Sequence, residues 1–205
     1  MIKVISMTKD AEKLMAYCAR VSSPHQDNPE FSKLFDYCIT HGHWSVFEQA
    51  FLTVEITTSR AISAQLLRHR SFTFQEHSMR YAASNSGYQV SQARRQDKTN
   101  RQNSIDDLSD SIKEQWIFRQ KEHFLNAMDH YNWAIENGIA KECARSVLPL
   151  QTTTRLYMTG SIRSWIHYLM VRTHKDTQLE HRDIAVEIQR IFVSLLPTVS
   201  GALGW

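Results

Sequence analysis

The chain has 205 residues, 42% of them hydrophobic, which is enough to bury the core of one domain covering residues 1–205. Its net charge of +3 is too small to indicate a nucleic-acid binder, and no apolar run reaches membrane-spanning length. The early-polar N-terminus is not typical of a signal peptide. Three widely spaced cysteines without a CxxC pair indicate reduced thiols and no disulfide framework. We therefore expect a cytoplasmic protein without a membrane anchor.

The N-terminal third alternates predicted strands with predicted helices. Its apolar patterns predict strands at 1–7 and 51–58 and helices at 10–20, 30–41 and 59–68. Gly42 is a natural end for the second helix, and Ser59 is a natural N-cap for the third. In the second strand, Leu52, Val54 and Ile56 share one face, which we expect to be buried.

The rest of the chain is predicted to be mainly helical. The polar stretch 84–107 is expected to be a loop, and helices are expected at about 110–137, 141–147, 161–174 and 177–196. The longest would be built on Ile112, Trp116, Phe124, Met128 and Tyr131. Pro197 would stop the last one. Helices with a minority of strand near the N-terminus predict an α+β fold, helix-rich with a small, mainly antiparallel sheet.

A dense group of cations lies between residues 65 and 81, in the segment QLLRHRSFTFQEHSMRY. Arg68, Arg70 and Arg80 present forked donors suited to phosphate or carboxylate groups. Apolar neighbours such as Phe72 and Phe74 should tether the segment to a core, at a helix end where side chains can converge. A site for an anionic ligand is one interpretation, and a solvated basic helix end is the other.

A second polar group lies on the predicted helix SIRSWIHYLMVRTH. Arg163 and His167 are four residues apart and share a face. The core should receive Ile162, Ile166 and Leu169, and the adjoining face should carry Ser161, Trp165, Tyr168 and Arg172. This pattern is typical of a ligand-facing helix, but also of an ordinary amphipathic helix with a wet side.

Other kinds of site find little support. The ten histidines include no pair at zinc-protease spacing and no cysteine pair to assist them, so we expect no metal. There is no GxSxG elbow, P-loop or GxGxxG turn, and the six glycines are scattered singly. If the protein binds phosphates, arginine side chains must hold them in place of the main-chain amides of a glycine-rich turn.

The cation-rich segment contains a recognisable signature. Arg68-His69-Arg70, seven residues and then Ser78 reproduce the RHR-x7-S motif of flavin-dependent thymidylate synthases. Further segments resemble that family in the correct order: HWSVFEQA at 43–50, ARSVLP at 144–149, and IRSWIHYLMVR followed by TQLEHR. One short motif is weak evidence, whereas four collinear matches are strong. Departures from the family pattern that keep hydrogen-bonding capacity are Gln49, Thr73, Gln75, Ser161 and His167.

The resemblance implies the family's fold, an activity and its cofactors. Family members convert dUMP to dTMP with FAD, taking carbon from 5,10-methylenetetrahydrofolate and hydride from flavin reduced by NADPH, without a cysteine nucleophile. They are homotetramers whose sites combine residues of several subunits, and their partners are these small molecules, not nucleic acids. Arg172 matches the family position whose positive charge favours the N3 anion of uracil and so activates C5.

The resemblance also implies ligand contacts, position by position. For dUMP these are Gln65, Leu66, Leu67, Arg68, Glu76, His77, Ser78, Met79, Arg80, Arg145 and Arg172. For FAD they are Ser45, Arg68, His69, Arg70, Glu76, Ser161, Ile162, Arg163 and His167. Arg80 and Arg145 are expected to hold the phosphate. His43 is a candidate for the nicotinamide or folate side of the flavin.

Two alternatives remain open from the sequence. A nucleic-acid-binding module would use Phe72, Phe74 and Tyr81 among the arginines, together with Arg94, Arg95, Lys98 and Arg101 of the polar stretch. Against that reading, Glu76 would repel phosphate and the chain is only mildly basic. The other alternative is a family member that binds flavin without methylating.

Overall fold

The computed structural model describes residues 1–82 and 87–205, which pack as two compact units. The first unit comprises Met1, Ile56–Arg68 and Gln75–Leu156, and the second comprises Ile2–Glu55, His69–Phe74 and Tyr157–Trp205. The expected single domain over 1–205 stays a prediction. Residues 84–86 of the predicted loop lie outside the described residues.

Helices account for most of the regular structure. The α-helices are α1 (Ala11–Ala19), α2 (Ser32–Thr40), α3 (Arg60–Leu66), α4 (Asp110–Glu136), α5 (Lys141–Ala144), α6 (Ile162–Arg172), α7 (Leu179–Leu195) and α8 (Pro197–Leu203). Short 3-10 helices span Trp44–Glu48 and Arg145–Val147. The strands are β1 (Ile2–Met7), β2 (Phe51–Ser59), β3 (Thr73–Glu76), β4 (Arg95–Gln96), β5 (Ser104–Ile105) and β6 (Thr153–Ser161).

Four of the strands form one small sheet in the order β1-β2-β6-β3, and β4 and β5 form a separate antiparallel pair. Main-chain hydrogen bonds join Thr8 to Phe51 and Thr57 to Met1, each at 3.0 Å, so β1 and β2 run antiparallel. The predicted α+β fold with few strands and many helices is confirmed.

The core of the second unit follows the predicted patterns. Leu52 and Val54 of β2 are fully buried, as are the apolar positions of α6 predicted to face inward. Helix α6 packs against α7 and against the 3-10 helix Trp44–Glu48. Trp165 and Tyr168 were expected on the face adjoining Arg163 and His167, but both are buried. Trp165 packs against Phe72 and donates a hydrogen bond to the Leu52 carbonyl oxygen, and Tyr168 contacts His181 of α7.

The first unit confirms the predicted capping of α3. The Ser59 hydroxyl accepts a hydrogen bond from the Ile62 amide, and Ile62 is buried as expected. The long helix α4 buries Phe124 and Tyr131, but Ile112 and Trp116 are 50% and 43% exposed. The prediction that these two residues form part of the core is therefore wrong within this chain, since a periodic apolar stripe does not say what it packs against.

Several elements were missed or predicted wrongly. The antiparallel pair of β4 and β5 lies in the stretch 84–107, which was expected to be a loop. The strand β6 was missed, although its alternating buried residues Thr154, Leu156 and Met158 are typical of a strand. The segment after Arg68-His69-Arg70, called the arginine triplet below, was expected to be irregular but contains β3. Pro197 stops α7 as predicted, but it also begins α8, because proline suits the first turn of a helix.

No single helix among the described residues has both the length and the apolar composition for a membrane crossing. Taken together, α7 and α8 pass that test of length and composition, but they are bent by 119° relative to each other.

Candidate active site

The RHR-x7-S segment contributes residues to both units, and each part has its own surroundings. Helix α3 ends at Leu66, so the arginine triplet lies in the turn that follows and not on a helical face. Arg68 is an exposed residue of the first unit, whereas His69 and Arg70 belong to the second.

In the first unit, the Glu76 carboxylate is tied down by α3. The Ser63 hydroxyl donates a hydrogen bond to Glu76 Oε1 at 2.8 Å, and Arg60 Nη1 lies 3.5 Å from the same oxygen. Arg60 also donates from Nη2 to the His77 carbonyl oxygen at 3.0 Å. Because the guanidinium offsets its charge, Glu76 can accept a ligand hydrogen bond without strongly repelling an anion nearby.

A cavity of about 370 Å³ lies beside this cluster, within the first unit. Arg60 and Arg145 line it together with Met79 and Glu142. Arg60 Nε is buried and has no hydrogen-bond partner among the described residues. Two arginines at one cavity suit a phosphate, which accepts several charge-assisted hydrogen bonds.

Arg80, the other expected phosphate partner, forms an ion pair with Glu142 at 3.3 Å. Both side chains are about half exposed, so the pair is weak and can open for a ligand. The Ser78 hydroxyl accepts a hydrogen bond from the Arg80 amide at 3.4 Å. Ser78 and Arg80 are thus neighbours, as the motif requires if both hold one group.

Some of the expected dUMP contacts fall on core residues. Leu66 is fully buried, so a ligand contact there would have to use its main chain, whereas Met79 is buried but lines the cavity. Leu67 is exposed, and Gln65 and His77 are half-buried.

In the second unit, Arg172 and His69 form the central pair. Arg172 lies at the C-terminal end of α6, and its Nε donates a hydrogen bond to His69 Nε2 at 3.0 Å. This bond uses Nε and does not engage the two terminal guanidinium nitrogens. Since arginine is only a donor, His69 must present a lone pair at Nε2 and carry its proton on Nδ1.

The protonation state of His69 follows from its position. Burial, together with the charge of Arg172, lowers the pKa of His69 to about 4, so the ring is neutral near pH 7. A neutral partner positions Arg172 without cancelling its charge, which a carboxylate would do. The full positive charge therefore remains available to a ligand.

A buried pair lies behind His69. The Tyr168 hydroxyl and His181 Nε2 are 3.1 Å apart, and both residues are almost completely buried. The Tyr168 ring meets the His69 ring edge to face, with 4.9 Å between centroids. The ring of His181 lies 6.1 Å from that of His69.

Three of the residues expected to contact FAD in the second unit are held by contacts within the protein. Arg163 Nη1 donates to Glu48 Oε1 at 2.6 Å, and the His167 ring lies edge-on to Trp44 at 4.8 Å between centroids. Burial, and secondarily Arg163, lowers the pKa of His167. The Ser161 hydroxyl accepts from the Ser164 amide at 3.2 Å and so caps α6.

The remaining positions expected to contact FAD in the second unit differ in solvent exposure. Ile162 is fully buried, whereas Arg70 and Ser45 are exposed. His43 is exposed as well, and its ring lies edge-on to Tyr37 with 5.6 Å between centroids.

The donor set of the second unit fits FAD. Exposed Arg70 can donate to the pyrophosphate oxygens, and Ser45 and His167 offer further hydrogen bonds from exposed positions. Ile162 is a core residue, so any FAD contact from it would use the main chain.

Four polar residues of these clusters were missed or misjudged from the sequence. Arg60 and Ser63 were not singled out, although their spacing of three residues puts both on one face of α3. Tyr168 was expected on the face adjoining Arg163 and His167, and His181 was noted only as one of the ten histidines and as part of the TQLEHR segment. No group of three or more possible metal-ligating side chains occurs within 1–82 and 87–205.

Comparison with known proteins gives matches over almost the whole chain. The family model described as "Thymidylate synthase complementing protein" matches residues 3–198. The flavin-dependent thymidylate synthase of Synechocystis sp. is 51% identical over 214 residues, which cover 100% of this chain and 99% of that protein. The probable flavin-dependent thymidylate synthase of Paramecium bursaria Chlorella virus 1 is 49% identical over 212 residues, covering 99% and 98%.

A solved structure agrees with these matches. The UMP/dUMP methylase PolB from Streptomyces cacaoi, bound with 5-Br dUMP, is similar with a TM-score of 0.89 and 25% identity. The similarity covers 100% of this chain and 94% of that one. The resemblance carried by the four sequence segments is therefore confirmed, and the chain belongs to the flavin-dependent thymidylate synthase family.

Proposed function

We propose that this protein catalyses the reductive methylation of dUMP to dTMP, with 5,10-methylenetetrahydrofolate as the carbon donor and NADPH-reduced FAD as the hydride donor. One observation carries the chemistry: the guanidinium of Arg172 is anchored by an uncharged histidine at 3.0 Å, in a chain that matches the family from residue 3 to residue 198.

Arg172 is proposed to activate the uracil ring electrostatically. Carbon C5 becomes nucleophilic when the ring approaches its N3 anion, and a nearby cation lowers the free energy of that anion. Arg172 cannot be the base, because a guanidinium keeps its proton up to a pH of about 12. Its terminal nitrogens can instead face the pyrimidine while Nε stays bonded to His69.

The phosphate of dUMP is proposed to bind in the first-unit cavity. Arg60 and Arg145 line that cavity, and Arg80 can turn from Glu142 towards an incoming phosphate. Ser63 and Arg60 keep Glu76 in one orientation, which suits a hydrogen bond to the nucleoside. Gln65, Arg68, His77 and Ser78 complete the proposed set of polar dUMP contacts.

The FAD site is proposed to use Ser45, Arg163 and His167 together with the arginine triplet Arg68-His69-Arg70. Bound FAD, once reduced by NADPH, supplies the hydride for the reaction. The protein's own residues bind and orient the ring system: Arg163 is held by Glu48, and His167 is kept neutral beside Trp44.

The test begins with the colour of the purified protein. We expect a yellow protein that NADPH bleaches without oxygen, and that forms dTMP from dUMP and isotopically labelled methylenetetrahydrofolate. A colourless protein that does not take up FAD would overturn the proposal. Flavin uptake and bleaching without labelled dTMP would identify a flavin-binding member that does not methylate.

We also propose a homotetramer whose sites combine several subunits. Helix α4 supports this, since Ile117, Phe118, Leu125 and Trp133 are each more than 45% exposed, together with Ile112. So much apolar surface on one helix is typical of an interface. Sedimentation equilibrium should give a mass near four times 23.9 kDa, and a monomer would contradict the proposal.

Binding of nucleic acid is not part of the proposal. Arg95, one of the cations considered for that role, pairs with Asp107 through several hydrogen bonds, and Arg80 pairs with Glu142. Phe72, considered as a stacking platform, is buried. Steeply salt-dependent binding of oligonucleotides in preference to dUMP would contradict this reading.

A cytoplasmic location is also proposed, supported by free thiols at Cys18, Cys38 and Cys143.

A further inference from the structure

Tyr168 and His181 are two polar side chains buried together, an arrangement that packing alone does not explain. His181 is completely buried and Tyr168 is 2% exposed, so two polar side chains have been brought out of water on adjacent helices α6 and α7. Their mutual hydrogen bond of 3.1 Å offsets part of that cost. An apolar pair of similar volume would fill the same space without any such cost.

The pair has a defined protonation state. Burial raises the pKa of the Tyr168 phenol, and burial, Arg172 and His69 lower the pKa of His181 to about 4. Near neutral pH, Tyr168 is therefore a phenol that donates its hydroxyl hydrogen, and His181 is a neutral ring that accepts it at Nε2.

The geometry connects this pair to Arg172 in one further step. The hydrogen bond between the two helices holds the hydroxyl end of Tyr168 in place, and the Tyr168 ring packs edge to face against His69. His69 in turn accepts the hydrogen bond from Arg172. A shift of the Tyr168 ring would remove the surface against which the His69 ring packs, at the histidine that accepts from the guanidinium.

We propose that Tyr168 and His181 are positioning residues for the reaction: their hydrogen-bonded pair forms an uncharged wall that fixes the ring of His69 and, through it, the guanidinium of Arg172. The absence of charge in this wall matters, because a carboxylate in its place would compensate the positive charge that Arg172 directs at the pyrimidine. This inference rests on the proposed function, because it requires a pyrimidine nucleotide as the ligand of Arg172.

The test uses three variants of the full-length FAD-loaded protein. Tyr168→Phe keeps the ring but removes the hydroxyl, and His181→Leu removes the acceptor. His181→Gln places an amide oxygen near the position of Nε2 and can restore the hydrogen bond. Tyr131→Phe is the control, because Tyr131 is an equally buried tyrosine of the other unit.

Two measurements follow in each variant. The first is kcat and KM for dUMP, with the bound FAD content determined from absorbance. The second is the pKa of N3 in bound 5-fluoro-dUMP, followed by fluorine NMR against pH. This second measurement reports the charge at Arg172 directly, and a role in packing alone would not change it.

We expect Tyr168→Phe and His181→Leu to lower kcat by about tenfold or more at unchanged FAD content, and to raise the N3 pKa of the bound probe by about one unit. His181→Gln and Tyr131→Phe should stay within about threefold of the original protein. Unchanged N3 pKa values in Tyr168→Phe would overturn the inference, even if His181→Leu does not fold. Failure of the unmodified protein to bind the probe or make dTMP would refute the proposed function instead.

Discussion

A guanidinium acts on a ligand most strongly when its own anchor leaves its charge uncompensated. Arg172 and Arg163 differ in this respect. Arg172 is bonded to neutral His69, whereas Arg163 is bonded to the carboxylate of Glu48. We therefore expect Arg172 to work electrostatically and Arg163 to serve mainly as a directional donor.

This difference leads to a prediction for His69. Replacing His69 by Gln keeps a neutral acceptor near Arg172, whereas Glu has nearly the same shape and adds a negative charge. We expect kcat for dTMP formation to be at least tenfold lower in His69→Glu than in His69→Gln, because the carboxylate cancels the charge that stabilises the N3 anion. Equal kcat values in the two variants would mean that the charge of Arg172 does not drive the chemistry.

A second prediction separates the arginines by ligand. Arg172→Ala should reduce turnover by about a hundredfold or more while most FAD remains bound, since its proposed partner is the pyrimidine. Arg70→Ala should instead lose FAD, because an exposed arginine of the triplet is proposed to hold the cofactor. The absorbance spectrum of each purified variant and its dTMP yield decide the matter. A fully yellow Arg70→Ala protein would contradict the cofactor assignment of the triplet.

At the scale of elements, strand β6 and the segment 69–74 are in unusually close contact. Gly160 of β6 has no side chain, and a Cβ built there would lie 2.5 Å from Cδ1 and 2.6 Å from Cε1 of Phe72. The Phe72 ring is buried and packs edge-on against Trp165, with 4.7 Å between centroids, so it has little room to move. The glycine is required here by space and not by its backbone angles.

Gly160→Ala should therefore destabilise the protein by about 1–3 kcal/mol, the usual cost of overpacking a core. The displaced Phe72 is next to the site, because its amide donates to the His69 carbonyl oxygen at 3.1 Å. We expect both a lower midpoint of urea unfolding and a lower kcat. The control is Gly201→Ala in α8, where an added Cβ meets nothing within 4 Å and alanine favours the helix. A loss of stability in the control as large as in Gly160→Ala would contradict the explanation.

The sequence identifies elements well where their ends carry capping residues. Ser59 and Gly42 were correctly taken as the start of α3 and the end of α2, because the hydroxyl cap and the positive φ of 70° at Gly42 are local effects. Strand β6 was missed because Thr153 and Thr154 at its start directly follow the turn at 149–152, a pattern that favours a connection. Its alternation of apolar and polar residues is present in the sequence, but the partner strands that make it part of a sheet are distant.

At the scale of the whole molecule, what the sequence cannot predict is pairing between distant elements. The motif and its collinear segments predict the family, because each is a continuous stretch of sequence, and the site positions that they imply stay predictions. The pair of Tyr168 and His181 depends on how α6 meets α7, and the apolar stripe of α4 depends on what covers it. Periodicity identifies a buried face but not its partner, so Tyr168 was placed on the face adjoining Arg163 and His167, and Ile112 in the core.

Two neutral histidines, the buried His181 and the half-buried His69, also make the stability of the whole protein depend on pH. The pKa values of His69 and His181 are lowered from 6.5 to about 4 in the folded state. Between those values the unfolded chain binds more protons than the folded one, so the free energy of unfolding must fall as the pH drops. Their contribution is fully present above about pH 6.5 and is lost progressively towards pH 4.

Urea unfolding at pH 7 and pH 5 measures this contribution. Each histidine can add up to about 1.4 kcal/mol per pH unit to the slope of stability against pH. His181→Gln removes one of these groups while keeping an acceptor for Tyr168, so it should lose less stability than the original protein between the two pH values. His130→Gln, on the exposed side of α4, is the matched control and should retain the original slope. The same slope in His181→Gln as in the original protein would mean that His181 is not held neutral by the fold, and the uncharged wall behind Arg172 would then lose its physical basis.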